Sequence, residues 1–162
     1  MTHRGAAIRL IPTAHHYPRG VIMAITSEAT ANWSGSLTEG SGTVAAASGI
    51  GTFPVNWKAR SEGSDSTTTP EELIAAAHSS CFNMALSNEL TQAGFTPTSL
   101  TTTASVTFVP GTGITGSHLN VSATIPGISE AQFEEIANGA KSGCPVSQAL
   151  AGIEITIEAS LA

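Results

Sequence analysis

The chain is 162 residues long, with 41% hydrophobic and 11% charged residues and a formal net charge of −6, which suits one globular domain with its own core. Three of its six basic residues lie within the first 19 positions, so from Met23 onward Lys58, Arg60 and Lys141 stand against twelve acids. A surface of that sign repels phosphate backbones and anionic lipid head groups, so neither nucleic acid nor a membrane is an expected partner.

Residues 1–22 are basic, hold His3, His15 and His16, and have no sustained helical or strand period. They read as an N-terminal extension, disordered or artefactual, with residues 23–162 as a single domain; an internal start at Met23 and a binding arm are the competing origins. The apolar run Val21-Ile22-Met23-Ala24-Ile25 is too short for a signal-peptide core, and no stretch approaches a membrane span, so cytoplasmic residence is the expectation. Three short segments follow, Ala31–Leu37, Gly42–Ala46 and Pro54–Arg60, punctuated by Gly40, Gly42, Gly49 and Gly51, and they predict a three-stranded meander. The polar stretch Ser61–Thr68 reads as a loop.

Thr69-Pro70-Glu71-Glu72 has the form of a capping box, with proline at the first helical position and acids where the helix dipole favours them. The helix it opens is expected to run to Gly94, with Leu73, Ala76, Ala77, Ser80, Cys81, Met84 and Leu90 turned inward. Ser99–Val109 and Ser117–Ile125 alternate apolar and polar residues around the turn signal Pro110-Gly111-Thr112-Gly113, which predicts a hairpin. A second capping box, Ser129-Glu130-Ala131-Gln132, opens a helix with Ala131, Phe133, Ile136 and Ala140 inward and Gly143 as its stop. A short helix from Pro145 to Leu150 and a strand from Ile153 to Ala159 complete an α+β order that lacks both strict βαβ alternation and a glycine-rich phosphate loop.

Cys81 and Cys144 are the two cysteines, 63 residues apart, a spacing that fits neither a CxxC motif nor a zinc knuckle. They are either two unrelated buried thiols or a working couple that the fold brings together. A thiol attacks as its thiolate, which a neighbouring cation favours. Of Lys58, Arg60 and Lys141, Arg60 is preferred for its permanent charge and forked donors; Lys58 shares its strand face by period two and ranks second, and a solvated strand-end arginine is the alternative. His78, one turn before Cys81, could take the thiol proton or fill a core site; the structural role is favoured, because no third polar residue is evident to orient the imidazole. Glu71 lies ten residues before Cys81, roughly 15 Å along a straight helix. For both to serve one site the helix must break or a second subunit must supply Glu71; otherwise Glu71 merely stabilises the helix start. Cys144, between Gly143 and Pro145 at a new helix start, suits a resolving role.

Three motifs, Thr69-Pro70-Glu71-Glu72-Leu73-Ile74-Ala75-Ala76-Ala77-His78-Ser79-Ser80-Cys81-Phe82-Asn83-Met84-Ala85-Leu86-Ser87, Ala93-Gly94-Phe95-Thr96-Pro97-Thr98 and Gly143-Cys144-Pro145-Val146-Ser147-Gln148-Ala149-Leu150, resemble the OsmC/Ohr family of thiol peroxidases, most of all its OsmC branch. The likeness covers about residues 24 to 160. It implies an intertwined homodimer, with curved antiparallel sheets around two central helices and both sites at the interface. It further implies that Cys81 is the peroxidatic thiol and Cys144 the resolving one, with Arg60 and Glu71 as the site arginine and glutamate and no metal, haem or flavin. The implied activity is reduction of organic hydroperoxides to alcohols through a Cys81 sulfenic acid and a Cys81–Cys144 disulfide, in oxidative or osmotic stress defence. An external dithiol, a dihydrolipoyl protein or a thioredoxin-like one, would restore the couple. The competing readings are a non-catalytic ligand-binding dimer of the same fold and a hydrolase using Cys81 and His78.

Overall fold

Two three-stranded sheets and four helices make up the computed structural model, which describes residues 24–162; the extension expected over residues 1–22 lies outside them. The first sheet is an antiparallel meander of β1 (Ala29–Ser34), β2 (Ser41–Ala46) and β3 (Thr52–Asn56). Its third strand stops earlier than the sequence suggests. Asn56 turns the chain, its side chain accepting a hydrogen bond from the Ala59 amide at 2.7 Å, and α1 (Trp57–Glu62) begins there. Lys58 and Arg60 therefore stand on a helix, not on the strand face that period two assigned them.

The second helix, α2 (Pro70–Gln92), is continuous over 23 residues. Thr69 caps it by accepting from the Glu72 amide at 3.1 Å, while the Glu72 carboxylate accepts from the Thr68 hydroxyl and not from the cap amide, so half of the expected capping box forms. Gly94, at φ +86, follows its end. The face that α2 buries is Phe82, Leu86 and Leu90, with His78 and Glu71 on the same side. Of the face expected inward, Ala76, Ala77 and Ser80 are exposed and Met84 is 68% exposed. Small apolar residues surround this helix, so periodicity alone did not choose between its sides.

β4 (Ser99–Val109) and β5 (Gly113–Thr124) form the expected hairpin, with a register shift between Thr107 and Phe108. The helices α3 (Glu130–Gly143) and α4 (Pro145–Ala149) carry the chain across to β6 (Glu154–Leu161). That helical crossover returns the chain in its original direction, so β6 pairs parallel to β5 in an otherwise antiparallel hairpin sheet. Ser129 and Gln132 complete a reciprocal capping box at α3. Gly143 remains helical, and the break falls at Cys144 (φ −63, ψ 121), because the following Pro145 disfavours helical backbone in the residue before it.

The core lies between this sheet and the helices laid on it, where Leu119, Val121, Ala123 and Ile125 of the β5 segment meet Phe82, Leu86, Leu90, Phe133, Ala137, Ala140 and Cys144. The β1–β3 sheet contributes nothing to that core: every residue of β1 is exposed, Trp33 by 45%, and Phe53 of β3 by 41%. No helix among the described residues is long and apolar enough to cross a membrane.

Candidate active site

The extended backbone at Cys144 ends α3 and starts α4 within one residue, which aims the first turn of α4 at the Cys144 sulfur. The Val146 and Ser147 amides and the Ser147 hydroxyl gather around it and favour its ionised form. Cys81, midway along α2, meets Cys144 across the α2–α4 contact. The two thiols adjoin, each shifting the pKa of the other, and are not joined by a disulfide. The 63-residue separation is thus closed by packing, as a working couple requires.

The two sulfurs differ in surroundings. Cys144 is fully buried, whereas Cys81 is partly exposed and is the one open to an incoming molecule. Burial pushes the Cys81 thiol up, and the Val146 amide only partly offsets this; the adjoining Cys144 sulfur pushes the same way. Burial also acts against ionisation of Cys144, but there the Ser147 amide, the Cys81 thiol, the Ser147 hydroxyl and the Val146 amide outweigh it and draw its pKa down. Within one chain, then, Cys144 is the more readily ionised of the two.

Arg60 and Glu71 form a second centre. Arg60, in the last turn of α1, donates to Glu71 from Nε (3.0 Å to Oε1, 3.3 Å to Oε2) and from Nη2 (2.8 Å to Oε1). Its guanidinium also lies 4.2 Å from the Phe108 ring centroid, and Trp57 meets the same ring edge-on, so the ring that supports the fork is itself packed. Arg60 and Leu73 border an apolar cavity of about 300 Å³ that is also lined by Trp33, Leu37, Val55 and Trp57.

The two centres do not meet within one chain. α2 is unbroken from Pro70 to Gln92, so Glu71, and Arg60 clamped to it, stand roughly 15 Å along the helix from Cys81. A broken helix is therefore excluded as the way to unite them. His78, expected as a core residue or a base, is fully buried, with Nδ1 2.8 Å from Ser117 Oγ and Nε2 2.9 Å from Ser147 Oγ. Both ring nitrogens are occupied away from Cys81, which removes the Cys81/His78 hydrolase reading. Ser117 and Ser147 were not singled out from the sequence: 39 and 69 residues separate them from His78, and no local pattern connects them.

Comparison with known proteins identifies the family of the chain. The family model described as OsmC-like protein matches residues 63–158. The chain is 45% identical over 143 residues to peroxiredoxin OsmC of Escherichia coli (strain K12), covering 86% of this chain and 99% of that protein. Its fold is similar to that of an organic hydroperoxide resistance protein from Elizabethkingia anophelis (TM-score 0.63, 28% identity, 86% of this chain and 99% of that one). It is likewise similar to that of an OsmC-like protein from Mycoplasma pneumoniae (TM-score 0.65, 17% identity, 86% and 99%). With the family model covering more than half of its length and a relative this similar along nearly the whole of its own, the chain belongs to the OsmC family.

Proposed function

We propose that this chain is a homodimeric, cysteine-based peroxidase that reduces organic hydroperoxides to alcohols. A relative named peroxiredoxin supports peroxidase chemistry in general. The observation that carries the finer reading is the pair of free, adjoining thiols at Cys81 and Cys144, one reachable and one buried.

Cys81 thiolate attacks the terminal peroxide oxygen; the O–O bond breaks, Cys81 becomes sulfenic acid, and the alkoxide leaves as alcohol on taking a proton. Cys144 then attacks the sulfenic sulfur, forming the Cys81–Cys144 disulfide and releasing water before a second oxidation can occur. An external dithiol, dihydrolipoyl or thioredoxin-like, restores both thiols by exchange.

Cys81 needs a cation, none among the described residues of its own chain acts on it, and a second copy would supply one. The outer face of α2 around Ala77, Ser80 and Met84 and the uncovered β1–β3 sheet are the surfaces that association would bury. Arg60 of one subunit, oriented by Glu71, would then stand beside Cys81 of the other and favour ionisation at Cys81 over Cys144. The Arg60-lined apolar cavity would receive the alkyl part of the substrate.

The test is a thiol count before and after one equivalent of an alkyl hydroperoxide, against the same dose of hydrogen peroxide. Loss of two thiols per chain, faster with the alkyl substrate, is expected. No loss would replace the enzyme with a ligand-binding dimer.

A further inference from the structure

We propose that His78 is a positioning residue for the resolving thiol: its imidazole holds the Ser147 hydroxyl as a hydrogen-bond donor to Cys144 Sγ. This rests on the role given to Cys144 above.

Four side chains close a ring through two helices. α2 carries Cys81 and, one turn earlier, His78; α4 begins at Cys144 and carries Ser147 in its first turn. Cys81 meets Cys144, Ser147 meets Cys144, and His78 Nε2 meets Ser147 Oγ at 2.9 Å. On the far side Ser117 Oγ of β5 lies 2.8 Å from Nδ1. His78, Ser117 and Ser147 are all buried, and no buried polar side-chain atom among the described residues lacks a partner.

The hydrogen count makes this ring directional. A serine hydroxyl has one proton. If Ser147 gives it to the Cys144 sulfur, its oxygen accepts from His78, so Nε2 carries the imidazole proton. Nδ1 is then bare and accepts from the Ser117 hydroxyl. The chain Ser117 to His78 to Ser147 to Cys144 thus points every donor toward the sulfur. It requires a neutral imidazole, and burial lowers the His78 pKa, which keeps it so. Of the titratable groups on α2, Cys81 touches Cys144 directly and His78 touches it through Ser147; Lys141, in the last turn of α3, is the cation nearest to it in sequence.

A fixed donor at a buried sulfur stabilises its ionised form, and deleting the donor should raise the Cys144 pKa by about one unit. Resolution would slow by only about threefold, because a more basic thiolate regains part of the tenfold lost in population.

The experiment is a thiolate titration at 240 nm in a Cys81→Ser background, where absorbance reports Cys144 alone. Ser147→Ala should shift the midpoint up by about one unit, and Ser147→Thr, which keeps the hydroxyl, should restore it. His78→Gln places an amide N–H near the position of Nε2 and should retain the midpoint, whereas His78→Asn reaches only the position of Nδ1 and should lose it. An unmoved midpoint in Ser147→Ala, or equal shifts in the two His78 variants, overturns the proposal. Should the His78 variants fail to fold, the imidazole ¹⁵N shifts of the Cys81→Ser protein decide: protonation at Nε2 supports the chain of donors, and protonation at Nδ1 overturns it. Failure of the peroxidase reading would appear separately, as retained thiols in the unsubstituted protein after alkyl hydroperoxide.

Discussion

Arg60 and Glu71 are joined by three charge-assisted contacts across eleven residues of chain, and Phe108 supports the guanidinium from one face. A lysine cannot reproduce that fork. Oxidation of Cys81 by alkyl hydroperoxide should therefore fall by about 100-fold in Arg60→Ala and largely remain so in Arg60→Lys, measured by stopped flow. Resolution by Cys144 should be far less affected. Cys144→Ser should leave a Cys81 sulfenic acid that dimedone traps, with no intramolecular disulfide. His78 provides a test at the same scale that does not involve peroxide. Its pKa is lowered from 6.5 by burial, so below pH 6.5 the unfolded chain binds a proton that the native chain refuses. Stability is then fully present above that pH and declines as pH falls through it, by up to about 1.4 kcal/mol per pH unit. Urea unfolding at pH 7.5 and 5.5 should show that decline, and His78→Gln should lose its share of it.

At the scale of elements, α2 joins both centres and has two unlike faces. Phe82→Ala on the buried face should cost about 3–5 kcal/mol, and Thr69→Ala at the cap about 1 kcal/mol, both measured by denaturant unfolding. The start of α2 was readable from Thr69, Pro70 and the two acids because a cap is a matter of three or four residues. Its inward face was not. Phe82, Leu86 and Leu90 repeat every four residues and mark that face, but the small residues at 76, 77 and 80 have their own helical spacing and compete with it. The start of α1 was also readable in principle, since Asn56 precedes six residues that can be helical and Gly63 follows them. Val55 and Trp57 suggested a strand continuing to Arg60 instead.

For the molecule as a whole, the two sheets have very different surroundings. β4, β5 and β6 are covered by α2 and α3, while β1, β2 and β3 leave Trp33 and Phe53 uncovered. A three-stranded sheet left without a packed face is marginal, and the open side of α2 likewise leaves Ala76, Ala77 and Met84 exposed. Sedimentation should give twice the 16.4 kDa chain mass. Ala77→Arg, which puts a bulky charge on the outer face of α2, should shift the protein toward the single-chain mass, with peroxidase activity lost in parallel. An unchanged mass with unchanged activity would sink the assignment of that face.

Sequence by itself determined the helix starts at Thr69 and Ser129, the β4–β5 hairpin, the acidic surface and the two thiols, because caps, turns and periodicity act between residues a few positions apart. Tertiary structure alone decided that Cys81 meets Cys144, that His78 lies between Ser117 and Ser147, and that Arg60 binds Glu71 of its own chain yet remains remote from Cys81. Those pairings depend on where long segments come to rest against one another, and the groups they bring around each sulfur then set which is the more readily ionised.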